Sequence, residues 1–169
     1  YPANFQLVTA MNPCRCGYLG DGARECKKAP TCGEEYKNKI SGPLLDRIDI
    51  SINVPQVDIF SVDSLKNGES SKVIANRVLK AREIQSNRYE AEENMQHFPK
   101  LNSKIDGKTL EKFTELDKEC RKILQKSVEK MATSMRGITR ILRVARTIAD
   151  LEESTNITQH HLLEAISYR

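Results

Sequence analysis

Two short apolar runs constrain this chain more than anything else in it. Phe5-Gln6-Leu7-Val8-Thr9-Ala10-Met11 is nearly continuous apolar and stops at Asn12-Pro13. Such a run suits a strand buried on both faces of a parallel sheet. Asp49-Ile50-Ser51-Ile52-Asn53-Val54 alternates, with Ile50, Ile52 and Val54 on one side, and stops at Pro55. Proline has no N–H to offer a ladder, so each run ends where it meets one. Two strands do not make a sheet. The pattern therefore predicts that the rest of the sheet is missing from this chain. A chain that opens on Tyr1 rather than Met fits a part of a longer protein.

The remainder reads as helix. The periodicity predicts a first long helix from about Ser70 to Glu92, with Ser70 or Ser71 as its N-cap and Ile74, Val78 and Ala81 as its apolar stripe. A weaker segment lies around Thr109 to Phe113. Another helix runs from about Leu116 to Thr133, with Ile123, Leu124, Val128 and Met131 facing inward. The clearest runs from Met135 to Glu153, where Ile138, Ile141, Leu142, Ala145, Ile148 and Ala149 share one face. A last helix follows Thr158, burying Leu162, Ala165 and Ile166. The chain thus divides into residues 1–58, a Cys-rich loop between two orphan strands, and residues 69–169, a helical domain. The join is Ile59 to Gly68, where Asn67-Gly68 marks a turn. Up to Asp58 there are seven basic and seven acidic residues, so the net charge of +4 belongs to the helical part.

No apolar run approaches the roughly 20 residues of a membrane helix, and no basic-then-apolar leader opens the chain. A membrane partner is not expected. Four of the five cysteines crowd into Cys14, Cys16, Cys26 and Cys32. An odd, clustered set reads poorly as a secreted disulfide framework and better as a metal site in a reducing, cytoplasmic compartment. The spacing C-x-C-x9-C-x5-C could bring four thiolates around one zinc ion, although it is not the paired C-x2-C of standard knuckles. Four reduced thiols in a loop are the plain alternative. His97, His160 and His161 lie far from the cluster, and the last two fit a surface or capping role.

Three further residues could meet phosphate. Arg136, Arg140 and Arg143 share a face opposite the apolar one of their helix. They form either a solvated basic face or, with Arg136 nearest the helix N-terminus, an anion contact. Arg47, flanked by Asp46 and Asp49, is either a surface ion pair or a guanidinium offered to a neighbouring subunit's phosphate. Asn12 sits where an apolar strand stops; α/β folds place ligands there, and a turn-capping Asn before Pro is equally ordinary. Asp46 and Asp49 have no nucleophile nearby and are set aside as an acid/base pair. The chain has no G-x4-G-K-[ST] phosphate loop and no paired acidic residues after an apolar strand, so alone it lacks the parts to bind and cleave a nucleotide.

These segments resemble a known family. Tyr1 through Tyr18 is similar to the sensor-1 strand of the magnesium-chelatase-like AAA+ ATPases, the ComM-like branch in particular. Ile40-Ser41-Gly42-Pro43-Leu44-Leu45-Asp46-Arg47-Ile48-Asp49-Ile50 resembles their arginine-finger segment. Ser134-Met135-Arg136-Gly137 through Leu151 resembles their sensor-2 lid helix, and Glu164-Ala165-Ile166-Ser167-Tyr168-Arg169 their ending. The resemblance implies a mainly α chain: the C-terminal remnant of an AAA+ core followed by a helical lid. It implies a sensor-1 role for Asn12, a finger role for Arg47 and a sensor-2 role for Arg136, in a ring that hydrolyses ATP with Mg2+ and acts on branched DNA. The porphyrin-metallating chelatase subunits are a related branch; the cysteine cluster favours the ComM-like one. The second cysteine pair departs from that branch's C-x-C, since Cys26 and Cys32 are five residues apart. The alternative from another class is a zinc-stabilised nucleic-acid module using Lys72, Arg77, Lys80, Arg82 and Arg88.

Overall fold

A computed structural model describes residues 5–20, 22, 24–54, 68–96 and 99–169. It is mainly α-helical, with no strand among the described residues. Most of the expected join, together with Pro55 and His97, lies outside those residues. The chain packs as two compact units, Tyr1–Leu45 and Asp46–Arg169, so Asp46 to Val54 go with the helices.

The first unit holds the cysteine loop and two short helices, α1 (Thr31–Lys37) and α2 (Gly42–Leu45). The run from Phe5 to Met11 forms no strand, with Phe5 75% and Val8 82% exposed. Ile50, Ile52 and Val54, in the second unit, are likewise exposed and form no strand. The cause is common to both. An extended segment leaves alternate N–H and C=O groups pointing sideways, and only a neighbouring strand satisfies them in register.

The second unit contains α3 (Ser71–Arg88), two 3-10 turns (Glu93–Met95 and Asn102–Lys104), α4 (Gly107–Phe113), α5 (Lys118–Met131), α6 (Met135–Leu151) and α7 (Gln159–Ser167). Most begin at side-chain caps, of which Ser70 and Thr158 are the two expected from the sequence. Ser70 accepts from the Val73 N–H, Asp117 from Cys120, and Ser134 from Gly137. Helix α7 carries a reciprocal cap in which His161 replaces the usual Glu or Gln. Thr158 N–H donates to His161 Nδ1 at 3.0 Å, which leaves the Nε2 proton to donate to Glu152 at 2.9 Å.

Helix α6 is the hub, packing on α3, α4, α7 and the second 3-10 turn. Its expected apolar face is buried as Ile141, Ala145, Ile148 and Ala149, and Ile141, Ala145 and Ile148 form one core with Leu116, Cys120, Ile157, Leu162 and Ala165. A second core gathers Tyr89, Met95, Ile105 and Leu110, with Phe113 edge-on to Tyr89. The reading of α3 needs correction: of its expected stripe only Ala81 is buried, while Ile74 and Val78 are exposed. The apolar residues Val73, Ile74, Val78 and Leu79 spread too widely around the helix to meet one partner, and all four are exposed. Met131 is also exposed rather than inward, because α5 ends there and the chain turns through Ala132 at φ 47°.

What binds α3 to α6 is polar instead. Asp150 has no solvent exposure and accepts from Arg88, Arg146 and Asn102. Asn102 in turn accepts from the Tyr89 hydroxyl at 2.6 Å, and its N–H donates to Gln85. Buried charge is tolerated here because every oxygen of the carboxylate is hydrogen-bonded.

Candidate functional site

The four clustered cysteines converge. Their sulfurs all lie within 4.8 Å of one another, with Cys14 fully buried and Cys16 exposed. Turns made by the sequence achieve this. The Gly17 N–H closes back on the Cys14 carbonyl at 3.1 Å, Ala29 on Cys26 at 2.8 Å and Cys32 on Lys28 at 2.9 Å. Gly17 and Gly20 both sit at φ +84°, a region a side chain rarely enters. Leu19 packs against Gly33, where an added Cβ would lie 2.5 Å from Leu19 Cδ2, so α1 is drawn tight against the loop.

A tetrahedral zinc tetrathiolate has sulfur–sulfur edges of about 3.8 Å, so this set fits the ion in number, softness and separation. The thiols already share protons unequally. Burial raises the Cys14 pKa, but hydrogen bonds from the Cys16 thiol and the Leu19 and Cys16 backbone outweigh it and bring it to about 6. At Cys26 a backbone hydrogen bond at Lys28 works downward. The Cys16 and Cys32 sulfurs and burial work the other way and push it up to about 12. Neighbouring thiolates repel, so these thiols resist losing their protons together, and a bound cation would relieve that repulsion.

Asn12 is exposed just ahead of this loop, its amide beside the Gly17 turn. In the second unit, Arg136 is the second residue of α6 and is exposed. With Thr139, Arg140, Arg143 and Asp106 it lines a recess of about 220 Å³. The other two arginines of the stripe are committed. Arg140 pairs with Asp49, and Arg143 donates to the Ile105 carbonyl at 2.9 Å through Nε. Arg47 is exposed, and its two acidic neighbours hold other arginines: Asp46 holds Arg169 and Asp49 holds Arg140.

Sequence reasoning missed that Asp46 and Asp49 reach α6. Asp46 accepts from Arg169 Nη2 and from the Ser134 hydroxyl, each at 3.1 Å. No periodicity links residues that far apart; the signal was only that two acids flank an arginine with no local purpose. Three of the five basic residues expected to serve nucleic acid are paired, two of them on the surface. Arg77 pairs with Glu69, Lys80 with Glu153, and Arg88 is buried on Asp150. Among the described residues, no helix is long and apolar enough to cross a membrane.

Comparison with known proteins agrees with the resemblance. The family described as magnesium chelatase, subunit ChlI C-terminal, matches residues 68–169, and that described as magnesium chelatase, subunit ChlI, matches residues 1–62. Competence protein ComM of Haemophilus influenzae is 40% identical over the whole chain, and the YifB proteins of Escherichia coli and Salmonella typhimurium are 39% and 37% identical. The chain spans 31% of the length of each of these relatives. With both family descriptions matched in chain order and every residue of the chain covered by these alignments, the chain belongs to the magnesium-chelatase-like family and is related to its ComM and YifB members.

Proposed function

We propose that this chain is the C-terminal part of an AAA+ ring ATPase, and that it supplies Asn12, Arg47 and Arg136 to nucleotide sites completed by residues outside it. The observation that carries the reading is the recess at the start of α6. A well-capped helix directs its positive end toward solvent there, and Arg136 stands exposed in a pocket lined by two further arginines. Helix N-termini and guanidinium groups both favour phosphate. Family membership supports ATP and Mg2+ as the ligand pair. In this reading Arg136 contacts phosphate from the lid. Asn12 orients the attacking water, and Arg47 acts on the developing charge in the site of a neighbouring subunit. The cysteine loop holds one structural zinc.

In this reading the ring sits in the cytoplasm and acts on branched DNA during recombination; the relative from Haemophilus influenzae is named a competence protein. The nucleic-acid module is the weaker reading, because Arg77, Lys80 and Arg88 of its basic face are already paired. Porphyrin metallation is the other reading; both matching family descriptions name magnesium chelatase, whereas the relatives matched over the whole chain are ComM and YifB proteins.

The test uses the full-length protein. Arg47→Ala and Arg136→Ala should each lower ATP turnover, Arg47→Ala by roughly 10³-fold or more, with nucleotide binding far less affected. The 169-residue chain by itself should not turn over ATP. A rate within twofold of wild type for Arg47→Ala in the assembled protein would remove the finger assignment.

A further inference from the structure

One guanidinium brackets Arg47. Arg169 donates through Nη1 to the Ile48 carbonyl at 2.9 Å and through Nη2 to Asp46 Oδ1 at 3.1 Å, so it holds the residues on both sides of Arg47. The other oxygen of Asp46 accepts from the Ser134 hydroxyl at 3.1 Å. That same hydroxyl accepts the Gly137 N–H at 3.2 Å and so forms the N-cap of α6, two residues before Arg136. Downstream, the Ser51 N–H donates to the Tyr168 carbonyl at 2.8 Å, and Asp49 pairs with Arg140 one helical turn beyond Arg136.

Space has been left for this arrangement. A Cβ built at Gly137 would lie 2.9 Å from Arg169 Nη2 and 2.4 Å from Thr133 Cγ2, so any side chain there collides with the fork. The Arg169 side chain is largely buried, 11% exposed, while its partner Asp46 is 40% exposed.

We propose that Asp46, Ser134 and Arg169 are positioning residues that lock the segment carrying Arg47 to the cap of the helix carrying Arg136. This rests on the nucleotide roles given to those two arginines above. Bidentate and charge-assisted contacts are directional, so the backbone at residue 47 cannot shift against the start of α6 without breaking them. A movement of the lid when Arg136 engages phosphate in its own subunit is thereby carried to Arg47, which faces the next subunit. Asp46, which looks in sequence like a local partner for Arg47, instead ties its segment to a helix 88 residues away.

The experiment uses full-length rings and three variants: Asp46→Asn, Arg169→Gln and Gly137→Ala, with Arg47→Ala as reference. A displaced catalytic group of this kind costs roughly tenfold to a hundredfold in rate. The expected result is a fall of that size in kcat, with KM for ATP and ring assembly within twofold of wild type. Conservative Asp46→Glu should retain more activity than Asp46→Asn.

The decisive readout is rescue by mixing. If Asp46 acts through Arg47, rings of Asp46→Asn subunits regain turnover when doped with subunits that keep Asp46 and Arg47 but carry a disabled phosphate loop. A purely local role leaves the defect with the mutated subunit's own site, unrescued, and overturns the proposal. So does turnover within twofold of wild type for Asp46→Asn and Arg169→Gln while Arg47→Ala is severely impaired. If Arg47→Ala itself is unimpaired, the finger reading fails, and the positioning role falls with it.

Discussion

Neutralising Asp150 should destabilise the helical unit more than any other carboxylate change. Its side chain is fully buried between Arg88, 14% exposed, and Arg146, 3% exposed. Its Oδ2 accepts from Arg88 Nη1 and Asn102 Nδ2, both at 2.8 Å, and its Oδ1 accepts from Arg146 Nε at 3.1 Å and from Arg88 Nη2. Asp150→Asn keeps the shape, removes the only negative charge bonded to both guanidiniums, and turns an amide donor toward other donors. Removing one member of a buried ion pair costs about 3–5 kcal/mol, because the remaining charge stays desolvated. A domain typically holds only about 5–15 kcal/mol in total. At this chain length a loss of 3 kcal/mol lowers the thermal midpoint by roughly 6–12 °C. Urea and thermal unfolding of the 169-residue chain, followed by far-UV circular dichroism, measure it. Arg146 keeps acceptors at the Thr155 and Ser154 carbonyls, so the main partner is Arg88. Arg88→Met should therefore be far less harmful in the Asp150→Asn background than alone, with a coupling energy above about 1 kcal/mol. A loss below about 1 kcal/mol for Asp150→Asn, or strictly additive losses, would refute the reasoning.

Elemental analysis of chain purified without chelator should find close to one zinc, lost in Cys14→Ser; under a tenth of an equivalent with all four thiols freely titratable leaves only the loop reading. Cys120 should resist alkylation at about pH 8 in the native chain, because burial, with Asp117 beside it, pushes its thiol up to about 11; labelling as fast as a free thiol would contradict this. The His161 hydrogen bond holds the Glu152 carboxyl below its ordinary 4.5. The stability it contributes is therefore complete above that value and is lost as pH falls through the lowered folded one. Glu152→Gln should flatten the acid limb of the stability curve, and an unchanged limb would show the contact to be idle.

The helical half was legible because its information is local. Ser70 announces the first long helix, Thr158 opens the last one, and the stripe from Ile138 to Ala149 repeats at the period of the helix that carries it. The four cysteines were legible as a group because a loop of glycines joins them, though their meeting within 4.8 Å depended on the turns. Helix α3 was read less well: apolar residues at helical spacing imply a buried face only when another element covers it, and Ile74 and Val78 are exposed. The buried Asp150 network was invisible, since Arg88, Asn102, Arg146 and Asp150 each look like surface residues in sequence.

Composition and short-range pattern alone determined that the chain would be mainly helical and where most of its helices lie. Those properties follow from backbone geometry and spacing within a few turns. Only the tertiary structure decided how the charges are shared. Asp46 and Asp49 could have served Arg47 beside them; instead they hold Arg169 and Arg140. An ion pair forms where packing brings two groups within reach, and that is not written in the distance between them along the chain.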